Sequence, residues 1–328
     1  MKYFLIGFSV AFGVLVLLLI ACALIFLKIF YSARKKPGDE AEFPLPEGEV
    51  YKPHHEQMIR WIKQIRAMER RDVSVTAFDG LKLYGKYYEY KKGAPTEILF
   101  HGYRGSAERD LCGGVHRCFA IGHNALIVDQ RGAGASEGHV ITFGAKESLD
   151  CLTWIDFVIK QIDKDARIII TGISMGAATV MMAATKALPD NVIGVLADCG
   201  YTSTKAIIQK VMRDMKLPAK PLYPLVRLGA RLFGGFDPDA DSPLASMQKC
   251  KLPVIFFHGD TDDFVPCSMS EENYAACTSE KKRLVIIRGA GHGLCFPVDM
   301  ETYFRELRDF FPCNEGEKGE NAGVATKN

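Results

Sequence analysis

The chain has 328 residues, with 41 Lys and Arg against 39 Asp and Glu for a formal charge of +2. It therefore lacks the concentrated positive field of a nucleic-acid-binding protein. Its length suits one large domain with a full core plus an appended segment, and its ten cysteines show no close, regular spacing of a disulfide scaffold.

Residues 3–27 are almost wholly apolar or small, and after Lys28 the run resumes with Ile29 and Phe30. A bilayer core needs about 20 such residues at about 1.5 Å each, so residues 3–30 are predicted to form one transmembrane helix. A cleaved signal peptide has a shorter apolar region, about 7 to 15 residues, ending in a small-residue cleavage site. Leu19-Ile20-Ala21-Cys22 has the look of a lipoprotein processing site, but the residues after Cys22 stay apolar where a mature lipoprotein would turn polar. Lys2 precedes the helix, whereas Lys28, Arg34, Lys35 and Lys36 follow it. The positive-inside rule thus favours a single-pass protein of the cell membrane with its body on the cytoplasmic rather than the extracytoplasmic face. The unpatterned thiols fit that reducing side.

Residues 31–53, rich in Pro, Gly and Glu beyond Pro37, read as a linker. Over residues 54–71, Met58, Ile59, Ile62, Ile65 and Met68 recur at helical spacing with arginines and lysines between them, which predicts an amphipathic basic helix. Packing against the body is expected ahead of lying on anionic lipid, because amphipathic helices usually face a core. A globular domain is expected over residues 72–313. Strand-like runs at 73–78 and 81–90 flank Asp79-Gly80 as an antiparallel pair. Further runs at 97–100, 125–128, 168–171, 192–197, 254–257 and 284–287 alternate with helical stretches near 107–119, 146–162, 175–187, 269–276 and 298–311. That alternation predicts an α/β fold with a mostly parallel sheet flanked by helices. Residues 201–241 interrupt it with a long apolar insertion, read as a short helical lid, and the polar residues 314–328 read as a disordered tail.

Gly172-Ile173-Ser174-Met175-Gly176 stands where a strand gives way to a helix, the setting of a nucleophile elbow. The sharp turn strains the serine backbone, and side chains two positions away would collide with neighbouring elements. A serine hydroxyl needs a base to take its proton and a third group to orient that base. In chain order Ser, acid, His, His258 comes before the plausible acids, so His292, flanked by glycines in Gly289-Ala290-Gly291-His292-Gly293, is the base. Spacing leaves Asp260, Asp262 and Asp263 open as the acid. Near an early strand end, Phe100-His101-Gly102-Tyr103-Arg104-Gly105 offers backbone amides to an oxyanion, and the amide of Met175 supplies a second donor.

Together these segments resemble the serine α/β-hydrolase superfamily, and within it a membrane-anchored bacterial group of esterase and serine-aminopeptidase-like proteins. The likeness runs over residues 73–312 and is carried by His101-Gly102-Tyr103, Asp129-Gln130-Arg131-Gly132-Ala133-Gly134-Ala135-Ser136, Gly172 to Gly176, the stretch from His258 to Pro266, and Gly291-His292. It implies an α/β-hydrolase fold. It also implies Asp262 as the acid, through Gly-x-x-Asp-x-x-Val-Pro beginning at Gly259, and the Tyr103 amide as the first oxyanion donor. One departure is Ala133, where the family often has His, outside the triad.

The glycines Gly132, Gly134 and Gly138 miss the dinucleotide-loop spacing, and neither H-E-x-x-H nor C-x-x-C occurs, so no cofactor and no metal is expected. The expected activity is cleavage of carboxylic ester or amide bonds through Ser174, His292 and Asp262, on a small-molecule or amphiphilic acyl substrate. Two competing readings are an acyltransferase using the same triad, separable by acceptor competition, and a catalytically silent membrane-bound binding protein on the same scaffold, which a serine-reactive probe would leave unlabelled.

Overall fold

The computed structural model describes residues 1–33 and 42–312. The expected polar tail and the cations Arg34, Lys35 and Lys36 lie outside those residues. Eight strands form one sheet: β1 (Arg71–Thr76), β2 (Lys82–Tyr88), β3 (Thr96–Phe100), β4 (Asn124–Val128), β5 (Ile168–Ile173), β6 (Val192–Asp198), β7 (Val254–Gly259) and β8 (Lys282–Ile287), in the order β1-β2-β4-β3-β5-β6-β7-β8. β1 and β2 form an antiparallel hairpin around Asp79-Gly80, β2 pairs antiparallel with β4, and every other neighbour is parallel. This is the mostly parallel, helix-flanked sheet that the alternation predicts, and the α/β-hydrolase fold that the resemblance implies.

Helices cover both faces, which is why β3, β4 and most of β5 are buried at every position. The period of two divides their side chains. Leu99, Ile127, Ile169 and Phe257 join the core under α2 (His55–Ala67), α3 (Ala107–Ala120) and the last helix, Met300–Phe310. Ile98, Phe100, Ile170 and Phe256 face the opposite core, under α4 (Glu147–Phe157) and α5 (Met175–Ala183). Glu97 sits fully buried in the first of these layers, held by Arg117 and His123 and by the Thr171 hydroxyl at 2.8 Å.

The basic helix is shorter than expected. It ends at Ala67, Met68 is already extended, and Arg71 opens β1. Its apolar side packs on the body through Met58, Trp61, Ile62 and Ile65. Each such burial contributes about 1.5–3 kcal/mol, more than the ~1 kcal/mol a surface cation gains at an anionic membrane. Trp61, stacked on Phe296, is an anchor that the aliphatic spacing alone did not reveal.

The linker reading also needs correcting. Phe43, Leu45 and Tyr51 pack against the same core, and the His55 ring lies 3.0 Å from the Pro46 carbonyl. Isolated apolar residues between prolines carry no periodicity, yet they still have surface worth burying.

The insertion forms two helices, α6 (Thr204–Asp214) and α7 (Ala219–Gly234), followed by the short α8 (Pro243–Met247). α6 and α7 enclose a third core with Phe143, Met175 and Tyr201. The N-terminal helix α1 (Lys2–Ile29) enters that core with its last turns. Cys22, Phe26 and Phe30 are buried, and residues 30–32 run beside residues 139–141 through Ile141 N–H to Phe30 O and Ser32 N–H to His139 O, each 2.8 Å. Residues 31–33 are therefore part of the folded body rather than a free connection. α1 is long and apolar enough to cross a membrane.

Candidate active site

Parallel strands carry functional groups at their C-terminal ends, and here three of those ends converge. Ser174 follows β5 at φ +57° and ψ −116°, a conformation L-residues rarely adopt. The flanking glycines have geometric reasons. A Cβ at Gly172 would lie 2.1 Å from Gly176 backbone atoms, and one at Gly176 would lie 2.0 Å from the Phe100 carbonyl oxygen. Only bare backbone lets α5 turn so sharply against β3. The turn is fixed further by the Ser174 N–H, which donates to the Asp198 carbonyl at 2.8 Å.

His292 Nε2 lies 2.9 Å from Ser174 Oγ, and His292 Nδ1 lies 2.7 Å from Asp262 Oδ2. Of the three acids left open by spacing, only Asp262 reaches the imidazole. Asp260 turns away to accept from the Gly289 amide at 2.6 Å, and the Asp263 carbonyl binds Lys210. Asp262 Oδ1 accepts from the Phe264 and Val265 amides at 3.0 and 2.8 Å. Burial alone would raise the Asp262 pKa. Hydrogen bonds from His258 and His292, with the Val265 amide, override it and hold the carboxyl well below the usual range.

His258, set aside as a base on chain order, is fully buried beneath this loop. Its Nε2 lies 2.8 Å from Val265 O and 3.3 Å from Asp262 Oδ2, and its Nδ1 lies 2.6 Å from the Ser270 hydroxyl. It ties the acid loop to α9 (Cys267–Ala276), a role that no spacing in the sequence announces.

The loop expected to bind an oxyanion turns from Gly102 to Gly105, with Arg104 at φ +53° and the Gly105 N–H on the Gly102 carbonyl at 3.1 Å. Asp110 accepts from the Gly102 amide at 3.0 Å. His101 Nε2 accepts from the Gln130 amide at 3.0 Å, which leaves Nδ1–H to donate to Gly102 O at 2.7 Å. Asp110, His101 and Gln130 therefore shape the loop. His101 and Gln130 stood in motifs, whereas Asp110 had no signal beyond its place in the first turn of α3. The amides of Tyr103 and Met175 have no hydrogen-bond partner among the described residues. Loop and elbow are close, since a Cβ on Gly102 would sit 3.5 Å from that of Ser174.

The Asp129 to Gly134 motif is structural. Asp129 accepts from the Ala107 and Ala135 amides, and Arg131 is buried between Asp150 and Asp79. A Cβ at Gly134 would overlap the Asp129 carboxylate at 2.1 Å.

A cleft of about 600 Å³ opens over Ser174 and His292, within the range of small-molecule sites. Tyr103 and Phe264 form its walls, and residues 46–51 of the expected linker form its rim. Phe264 meets the His292 ring edge-on at 5.0 Å. Cys199 Sγ lies within 4.8 Å of the ligand atoms of Asp262 and His292. The mutual hydrogen bond of the latter two accounts for their approach without a metal.

The family described as serine aminopeptidase, S33, matches residues 96–241, from β3 through the helical insertion. The Pyrococcus furiosus esterase Pf2001 superposes with a TM-score of 0.62 at 24% identity, covering 82% of this chain and 96% of that one. The fold is that of the α/β-hydrolases, and over residues 96–241 the chain is similar to the serine aminopeptidase, S33, family. Among curated relatives of this hydrolase, YqkD of Bacillus subtilis strain 168 is 26% identical over 305 residues, covering 92% of this chain and 95% of its own. Protein bem46 of Schizosaccharomyces pombe is 26% identical over 232 residues, 69% of this chain and 70% of its own.

Proposed function

We propose that this hydrolase cleaves carboxylic esters through an acyl-enzyme, with Ser174 as nucleophile, His292 as base and Asp262 as its orienting acid. The observation that carries the reading is the unbroken chain Ser174 Oγ, His292 Nε2, His292 Nδ1, Asp262 Oδ2, at 2.9 and 2.7 Å, opening on the cleft. In this mechanism Ser174 Oγ bonds to the carbonyl carbon while its proton passes to His292 Nε2. The oxyanion is held by the Tyr103 and Met175 amides, and Asp262 stays ionised beside the imidazolium. Collapse expels the alcohol, which takes the proton from His292. Water, deprotonated by the same nitrogen, then releases the acid and restores Ser174.

An amphiphilic acyl substrate fits best. Val50, Ile173 and Phe264 line the cleft, and the loop carrying Tyr103 is bonded to the end of α1. We place α1 across the cell membrane as a single span, with the flanking cations favouring the cytoplasmic face for the body. Purified full-length protein and its Ser174→Ala variant, assayed on an activated acyl ester and labelled with a fluorophosphonate, test the chemistry. Full turnover or labelling in Ser174→Ala overturns the assignment.

A further inference from the structure

The lid hairpin lies against α1 in a defined direction. Gly229 meets Cys22, where an added Cβ would stand 2.7 Å from the Cys22 carbonyl oxygen. One turn on, the Phe233 and Phe26 rings are 5.9 Å apart, and after α7 ends the Phe236 and Phe30 rings are 5.3 Å apart. Three contacts advancing together along both segments mean that α7 and α1 run the same way. The start of α7, and the turn joining it to α6, therefore point back toward the N-terminal part of α1.

That part of α1 is exposed throughout residues 3–20, and burial by the body begins at residues 21 and 22. Eighteen exposed apolar or small residues span about 27 Å at 1.5 Å per residue, close to the roughly 30 Å of a bilayer's hydrocarbon core. The body thus meets α1 where the hydrocarbon ends, and the turn of the lid reaches back across that level.

The residues on the turn have the composition of a membrane-interface contact. Met215 and Leu217 are 53% and 41% exposed, and Lys216 between them adopts φ +58°. Arg213, Lys216 and Lys220 are exposed and form no ion pair among the described residues, while Asp214 is taken by Lys210 at 2.6 Å. Two apolar side chains amid three unpaired cations suit acyl chains beneath acidic headgroups, each cation gaining about 1 kcal/mol there.

We propose that the α6–α7 turn is a second membrane contact. Met215 and Leu217 enter the interface of the bilayer that α1 crosses, and Arg213, Lys216 and Lys220 engage its acidic lipids. This rests on the membrane placement of α1 proposed above. It makes the lid a fixed bridge between the bilayer and the third core, which holds Tyr103 and Met175, rather than a free flap.

The test uses full-length protein in nanodiscs of phosphatidylcholine and phosphatidylglycerol with brominated acyl chains, which quench nearby tryptophan. The native Trp61 and Trp154 are buried in the body and supply a constant background. Leu217→Trp, with Met215→Trp as a second reporter, is expected to lose roughly half its added emission to bromolipid. The loss should be smaller without phosphatidylglycerol, and smaller again when Arg213, Lys216 and Lys220 are all Gln. Leu15→Trp, exposed on α1, reports the anchor separately. Quenching at position 15 but not at 215 or 217 overturns the lid contact and leaves the anchor standing. Unquenched but blue-shifted emission at 217 assigns the turn to a protein neighbour, such as a second copy, and also overturns the proposal. Absence of quenching at all three positions overturns both.

Discussion

The Tyr103 hydroxyl donates a 2.6 Å hydrogen bond to the carbonyl of Ile29, in the final turn of α1. Beside it, the Arg104 guanidinium donates to the Lys28 carbonyl at 2.8 Å and the Tyr31 carbonyl at 3.1 Å. The loop assigned to oxyanion binding thus satisfies carbonyls that a helix end leaves orphaned. Tyr103→Phe keeps the backbone amide and removes only this tie. One partly buried hydrogen bond is worth about 0.5–1.5 kcal/mol, so kcat on a short activated ester should fall about 2- to 10-fold with KM little changed. An unaltered kcat would mean that Asp110 and His101 hold the loop unaided.

Ser174→Ala and His292→Ala should each reduce kcat by about four orders of magnitude or more, and Asp262→Asn by about four. Because the three act as one unit, Ser174→Ala combined with His292→Ala should cost little more than either alone. Steady-state kinetics on the double variant checks this, and additive losses would contradict a shared proton path.

Gly176→Ala should be far worse than an ordinary surface change. Its Cβ would stand 2.0 Å from the Phe100 carbonyl oxygen, so either β3 or the elbow must move. Destabilisation of roughly 4 kcal/mol or more is expected, seen as loss of soluble protein or a large drop in Tm together with activity.

Acid stability should depend on Glu97. Burial would raise its carboxyl pKa, but the Arg117 guanidinium, with hydrogen bonds from His123 and Thr171, lowers it to about 2. A folded-state pKa depressed in this way contributes stability above the unfolded value of about 4.3, lost as pH falls toward 2. Tm should therefore drop most steeply between about pH 4 and 2. Glu97→Gln strands the Arg117 charge, costing about 3–5 kcal/mol. Its Tm should be roughly 10 °C lower at neutral pH, with a flatter acid slope. A variant that kept the wild-type slope would assign the acid loss elsewhere.

Val50 lies on the rim of the cleft, in a stretch without sequence periodicity. Val50→Ser removes about 1 kcal/mol of apolar contact, so KM for long-chain acyl esters should rise several-fold while that for acetate esters stays near wild type. Equal shifts in both would detach the rim from the acyl chain.

Much of this protein is written locally. Strand runs, the elbow glycines and the apolar N-terminal helix each depend on neighbours within a few residues, so periodicity and spacing expose them. Asp262 shows where that ends. Its two flanking acids have the same chemistry and nearly the same position, and the choice among them became geometric only when His292 arrived from 30 residues away. The rim from Pro46 to Tyr51 and the grip of Ile29 on Tyr103 join segments far apart in the chain. No local pattern encodes such contacts, because each forms only after the sheet has brought the ends of its strands together. The sequence by itself determined the fold, the sharp glycine-flanked turn at Ser174 and a helix able to span a membrane. Tertiary packing alone decided that the end of α1, the α6–α7 insertion and the loop carrying Tyr103 are one connected structure, since the apolar surfaces and the helix-end carbonyls are satisfied only where these segments meet.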